Sequence, residues 1–246
     1  MVYQPIVSLR GGKIVGSEAL ARWSDEDGVA VGPDIFIKIA ETHCFVGEIT
    51  RLVARHALND FAETFRANPD FRLSINVAAA DLADPHFLTM LEEELRRAGV
   101  QPQSLSIEIT ESSTARHDVA IQTIQRLQQR GHSVHIDDFG TGYSSLSYLH
   151  ELSVDAIKID RSFTQAIGTE AVTATILPQI MAMAEALHLQ VIVEGIETSE
   201  QASYFNSTSK EIFGQGWLFG RPVPAEEFLR LLASGEMETF FLVGAA

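Results

Sequence analysis

At 246 residues, 46% hydrophobic and 21% charged, the chain has material for one large domain or two small ones with an ample core. Its 33 acidic residues outnumber 18 basic ones for a formal charge of -15, which argues against a protein whose task is to grip a DNA or RNA backbone. The single cysteine, Cys44, excludes an intrachain disulfide and a thiolate metal cluster. No basic-apolar leader and no run of 18 apolar residues is visible, so neither an export signal nor membrane contact by this fragment is expected.

The chain opens abruptly in Val2-Tyr3-Gln4-Pro5-Ile6-Val7, which suggests a domain excised from a longer protein. Val2 to Leu9 and Ile14 to Ala21 flank Arg10-Gly11-Gly12-Lys13 and read as a tight hairpin. Alternation places Glu18, Leu20 and Arg22 on one face, where a Glu18 to Arg22 ion pair is one reading. Pro33 opens a helix over 34–41, and a longer helix is expected from about Gly47 to Phe65, closed by Pro69. Phe71 to Val77 is a strand in which Asn76 faces away from the larger apolar residues. A helix from His86 to Arg97 leads through Gly99 and Pro102 to the strand Leu105 to Glu111. There Glu108 lies between Ile107 and Ile109, a position that is costly for a carboxylate unless it is paired or bound to metal.

A helix from Val119 to Gln129 ends at Gly131 and is followed by Val134-His135-Ile136-Asp137-Asp138-Phe139-Gly140. This apolar run stops at two adjacent carboxylates, which repel one another unless a cation or a base compensates them. His135 shares the strand face of Asp137 and can be a core residue, a hydrogen-bonding neighbour or a ligand. Val154 to Asp160 is the next strand, with Lys158 inside it. A helix from Ala171 to His188 precedes Val191 to Glu197, again a strand finishing in a carboxylate, Glu194, followed by glycine. Glu211 to Trp217, carrying Gln215, and a helix from Pro224 to Leu232 complete the series. Glu197 and Asp160 can be outer acids of a site or helix caps, and His188 suits a helix C-terminus.

Strand and helix thus alternate with short joints after an opening hairpin, the pattern of a (β/α) barrel in one domain without a linker. An open doubly wound sheet would gather ligands at one switch point, whereas here Glu18, Asn76, Glu108, Asp137, Asp138, Lys158, Glu194 and Gln215 end or nearly end successive strands. A barrel would bring them into one ring. Five carboxylates and an amide oxygen are hard ligands suited to Mg²⁺ or Mn²⁺ and, with more flexible geometry, Ca²⁺. Two cations balance that many acids better than one, with Asp137 or Asp138 as the bridge, and a metal pair about 3.5–4 Å apart is the usual apparatus for phosphoester hydrolysis.

The sequence Glu18-Ala19-Leu20-Ala21-Arg22 resembles the signature of the EAL domains, cyclic di-GMP phosphodiesterases. Asp137-Asp138-Phe139-Gly140-Thr141-Gly142-Tyr143-Ser144-Ser145-Leu146 is a more specific match, and Ile192 to Thr198 and Gln215-Gly216 add to it. The resemblance covers nearly the whole chain, from Tyr3 to Pro222. It implies a TIM-like (β/α)8 barrel, class α/β, with an antiparallel first strand. Position by position, it implies that Glu18, Asn76, Glu108 and Asp137 hold one metal and Asp137, Asp138 and Glu194 the second. Lys158 would hold or activate the water with Gln215 nearby, Glu194 would take part in catalysis, and Glu111 would stabilise the loop from Asp138 to Leu146. Leu20, Arg22 and Asp138 fall on the substrate side, Arg22 meeting a phosphate.

What this implies is hydrolysis of cyclic di-GMP to linear 5′-pGpG by metal-activated water, with two Mg²⁺ or Mn²⁺ as cofactors and Ca²⁺ inhibitory. The alternatives are a catalytically quiet cyclic di-GMP receptor and another metal-dependent phosphodiesterase. The resemblance also implies a homodimer, adjoining sensory or regulatory domains and a cytoplasmic location for the domain, leaving open whether a longer parent is membrane-anchored. The chain departs from the family at His43-Cys44, where a Thr-Gly-like pair is commoner, and over 204–212, which lacks the usual Gly-Cys-Asp; neither change removes a ligand.

Overall fold

The structure, a computed structural model, describes residues 1–110, 117–140, 152–206 and 210–235. The first two strands, β1 (Val2–Ser8) and β2 (Ile14–Leu20), form the hairpin expected around Gly11-Gly12. They pair antiparallel from Val2 opposite Leu20 to Val7 opposite Ile14, and Gly12 supplies the positive φ of 67° at the turn. A second, two-residue hairpin not expected from the sequence, β3 (Trp23–Ser24) with β4 (Ala30–Val31), follows outside the barrel.

Six further strands complete the barrel: β5 (Arg72–Asn76), β6 (Leu105–Thr110), β7 (Val134–Phe139), β8 (Ala156–Ile159), β9 (Gln190–Val193) and β10 (Phe213–Gly214). Their closed order is β1-β10-β9-β8-β7-β6-β5-β2. β1 runs antiparallel to both neighbours and every other pairing is parallel, so the TIM-like (β/α)8 barrel with an antiparallel first strand is what the chain forms. The strands are almost entirely buried, because helices cover the outer face and side chains fill the interior.

The described helices are α1 (Pro33–Thr42), α2 (Val46–Asp60), α3 (Ala62–Ala67), α4 (Ala79–Ala83), α5 (Phe87–Ala98), α6 (His117–Gln129), α7 (Arg161–Gln165), α8 (Val172–Ala186), α9 (Ser199–Asn206) and α10 (Ala225–Ser234). The single helix expected from Gly47 to Phe65 is instead two, α2 and α3, jointed at Phe61, whose φ of -108° and ψ of 7° leave the helical region. Packing explains the joint. Phe61 is fully buried, stacks on Phe71 at 5.5 Å between ring centres and meets Tyr3 and Phe228 edge-on at 4.8 and 5.4 Å. That cluster ties α10 back to the first strand, and a backbone pairing of Tyr3 with Val223 closes the same seam.

Two of the described helices, α1 and α8, end in a left-handed residue that is not glycine. After α1, Cys44 has φ 58° while Phe45 N–H reaches back to the Ala40 carbonyl, the bond pattern of a Schellman cap. After α8, His188 has φ 58° and Leu189 N–H reaches the Ala184 carbonyl in the same way, so His188 is the turn residue of a cap. Among the described residues no helix is long and apolar enough to cross a membrane.

Candidate active site

The site begins with alternation. Residues two apart on a barrel strand point inward, so β2 directs Glu18, β6 Glu108, β7 His135 and Asp137, and β8 Lys158 into the interior. Glu108, Lys158 and Glu18 are buried there, and Glu194 just past β9 keeps about 20% of its side chain accessible. Adjacent residues would alternate away from one another, so Asp137 and Asp138 would not both face the mouth of a regular strand. The register provides the exception. Between the pairs Ile136 with Ile157 and Phe139 with Ile159, β7 advances three residues while β8 advances two. That extra residue is a bulge, with Asp138 at φ 54°, and it turns both carboxylates toward the site.

Lys158 stands at the centre. Its fully buried Nζ lies 3.3 Å from Glu18 Oε2, 2.9 Å from Glu108 Oε2, 3.2 Å from Asp137 Oδ1 and 2.8 Å from Glu194 Oε1. Around that core, Asn76 Nδ2 donates to Glu18 Oε1 at 2.7 Å, so its amide oxygen is the atom it could offer to a cation, and Gln215 Nε2 donates to Glu18 Oε2 at 2.7 Å. The Glu18 to Arg22 ion pair does not form; the Arg22 guanidinium donates to the Ala21 carbonyl, and Glu18 instead uses Lys158, which is 140 residues away in sequence. Arg22 opens onto a groove of about 540 Å³ shared with Trp23, Phe36 and Phe45, just beyond β2, where Leu20 ends the strand.

The electrostatics follow from crowding. Burial pushes Glu108 up to about 8, with Glu18 and Asp137 adding to the rise and Lys158 opposing it. Glu194 is likewise pushed up to about 8 by burial, against the pull of Lys158. Burial also raises Glu18, but Lys158, Gln215 and Asn76 together outweigh it and hold that carboxyl below its ordinary range. Burial and the neighbouring Asp137 raise Asp138. Burial works against the Lys158 ammonium, yet Asp137, Glu108, Glu18 and Glu194 keep it charged far above the usual lysine range.

Two groups of these acids could each hold a cation: Glu18, Glu108 and Asp137, and Asp137, Asp138 and Glu194, with ligand atoms in each group within 4.8 Å of one another. Asp137 belongs to both. The donors are hard oxygens, which fit Mg²⁺, Mn²⁺ or Ca²⁺. Two further observations agree with a cation there: five acids face a single ammonium, and Gln215 Oε1 is buried with no hydrogen-bond partner.

Of the residues expected at the site, Glu18, Asn76, Glu108, Asp137, Lys158, Glu194 and Gln215 are joined by these contacts, and Asp138 joins them through the bulge. Glu111 and Thr141 to Leu146 lie outside the described residues. Asp160 is a cap, its Oδ1 accepting from Ser162 N–H at the start of α7, and Glu197 is exposed with its N–H held by Gln201 Oε1. Two supporting residues were not singled out in the sequence. Thr164 Oγ1 donates to the Glu194 carbonyl at 2.6 Å, and Gln4 Oε1 accepts from Gln215 at 3.0 Å. An inward position on β1 was the available signal for Gln4; Thr164 carried none.

Comparison with known proteins extends the geometry. The EAL domain family matches residues 1–222. The probable cyclic di-GMP phosphodiesterase PdeB of Escherichia coli is 41% identical over 93% of this chain and 43% of its own length. The chain spans less than half the length of the curated relatives it matches. Among solved structures, the EAL enzyme Bd1971 in its cAMP and cyclic-di-GMP bound form is 34% identical with a TM-score of 0.88, over 94% of this chain and 64% of that one. The MucR phosphodiesterase in complex with c-di-GMP is 32% identical with a TM-score of 0.86, over 92% of each chain.

Proposed function

Because the chain belongs to the EAL domain family, we propose that it hydrolyses one phosphodiester of cyclic di-GMP, opening the ring to linear 5′-pGpG. The observation that carries this reading is the pair of acidic groups that share Asp137 around a buried lysine.

Glu18, Asn76, Glu108 and Asp137 would hold one Mg²⁺ or Mn²⁺, and Asp137, Asp138 and Glu194 the other. Bound there, such ions supply activation of water and neutralise charge building on the phosphoryl oxygens. The protein groups do the positioning. Gln215 and Asn76 fix the two oxygens of Glu18 from opposite sides, and Thr164 anchors the backbone that carries Glu194. Among these protein groups alone Lys158 is a cation, so it orients the nucleophile by charge and hydrogen bonding. Positive charge beside the same carboxylates would lower the pKa of Lys158 and raise the share of neutral amine, the only form that can accept a proton. Arg22 is the phosphate contact, with Leu20 and Asp138 on the substrate side. Glu111 is assigned to the loop it precedes.

Release of pGpG in Mg²⁺ or Mn²⁺ tests this. Glu18→Ala, Asp137→Ala and Glu194→Ala are each expected to abolish turnover in a folded protein, and wild-type rates from all three would overturn the assignment. Binding of cyclic di-GMP by the wild type without turnover would make the domain a receptor instead. Ca²⁺ is expected to inhibit, since its longer oxygen distances and larger shell misplace the water; full activity in Ca²⁺ counts against that geometry. Titrating protein concentration in the same assay tests the expected homodimer. A cytoplasmic setting and regulation by adjoining sensory domains belong to the same reading.

A further inference from the structure

Beneath the carboxylates, His135 is buried inside the barrel with Ser133 Oγ 2.9 Å from its Nε2. Its other nitrogen, Nδ1, has no hydrogen-bond partner, and it faces Glu108 Oε1, also buried and without one, across 3.9 Å. The two lie on adjacent strands at paired register positions, and the other Glu108 oxygen is held by Lys158. Buried polar atoms without partners are rare, and two facing each other across one gap are more simply read as a single interaction than as two defects. A rotation of Glu108 or one intervening water closes such a gap.

We propose that His135 is a positioning residue for Glu108, donating from Nδ1–H to Oε1 and so fixing the carboxylate that the first cation group uses. The tautomer follows from the partners. As a metal ligand Glu108 is ionised and its oxygens can only accept, so in that state the ring proton sits on Nδ1 and Nε2 accepts from the Ser133 hydroxyl. Groups behind a metal ligand set its direction and typically change metal affinity about 10- to 100-fold when removed. This inference rests on the metal-binding reading of the acidic groups.

Calorimetric titration of the 246-residue chain with MnCl₂, without nucleotide, tests both levels. In His135→Asn the side-chain amide nitrogen occupies the place of Nδ1, and Mn²⁺ affinity is expected to stay within about threefold of wild type. In His135→Gln the nitrogen falls at the place of Nε2, and in His135→Leu there is none; both are expected to bind about 10- to 100-fold more weakly. A purely space-filling role would not separate Asn from Gln. Gln and Leu variants that match wild type, or an Asn variant as weak as Gln, overturn the proposal. If the larger substitutions do not fold, Ser133→Ala, which deletes only the hydroxyl facing Nε2, decides: it is expected to weaken Mn²⁺ binding severalfold, and unchanged affinity overturns the proposal. A wild type that takes up no Mn²⁺ removes the metal reading and this inference with it, whereas wild-type uptake with unchanged variants removes the role of His135 alone.

Discussion

Replacing Lys158 with methionine keeps most of the length of the unbranched side chain and deletes the charge that four carboxylates share at 2.8 to 3.3 Å. Removing one partner of a buried ion pair costs about 3–5 kcal/mol, because the charges left behind are desolvated and unpaired. For a domain of this size each kcal/mol moves the melting temperature by about 2–4 °C, so a fall of about 6–20 °C is expected in EDTA. The deficit depends on pH with a definite sign. Glu108 and Glu194, already held up at about 8, keep protons in the folded protein that the unfolded chain releases above its ordinary carboxylate range. Stability in that window therefore falls as pH rises, through about 4.5 to 8. Deleting Lys158 raises both carboxyls further, so the deficit is small near pH 5.5 and largest near pH 8.5. Mn²⁺ at a hundredfold excess over its dissociation constant returns about 2.7 kcal/mol per site. Scanning calorimetry over pH, with EDTA or Mn²⁺, measures all of this. Coincident melting of Lys158→Met and wild type at pH 8.5 in EDTA would refute the electrostatic account, as would a deficit that shrinks with rising pH.

Cys44→Gly is expected to stabilise the protein, since a left-handed residue with a side chain costs about 1–2 kcal/mol and the looser unfolded chain returns part of that. The net gain of about 1 kcal/mol appears as a rise of about 2–4 °C in melting temperature; no rise, or an equal rise in Cys44→Ala, rejects the strain. At Gly216 a Cβ would sit 2.1 Å from the Ile196 carbonyl oxygen and 2.3 Å from its nitrogen, both backbone atoms. Gly216→Ala is therefore expected to cost about 3 kcal/mol and to lower pGpG release, because it displaces the segment that carries Gln215. A variant that melts and turns over like wild type shows that the strand end can move.

The barrel and its polar ring were legible because each strand is short, apolar and ended by a side chain that apolar packing does not explain. The antiparallel start was visible in Gly11-Gly12. Pairings across the barrel were less so. Glu18 could be matched by sequence with Arg22 four residues on, but not with Lys158, since only closure brings β2 and β8 to opposite walls of one space. The bulge at Asp138 escaped for another reason: a period of two has no symbol for an inserted residue, and Asp-Asp reads equally well as a turn. Short helices such as α4 and α7 have too few turns to display a period, and the break at Phe61 is imposed by aromatic partners far along the chain.

The membership of Asp137 in both acidic groups would make the filling of the two proposed cation positions a linked equilibrium. An ion that draws this carboxylate into place for itself also arranges a ligand for its neighbour, so uptake should not follow two independent hyperbolas. Linkage is reciprocal, and whatever factor the first ion contributes to the affinity of the second, the second returns to the first. On the proposed two-ion reading, Asp137 would carry the coupling between the ions as well as a share of each one's binding.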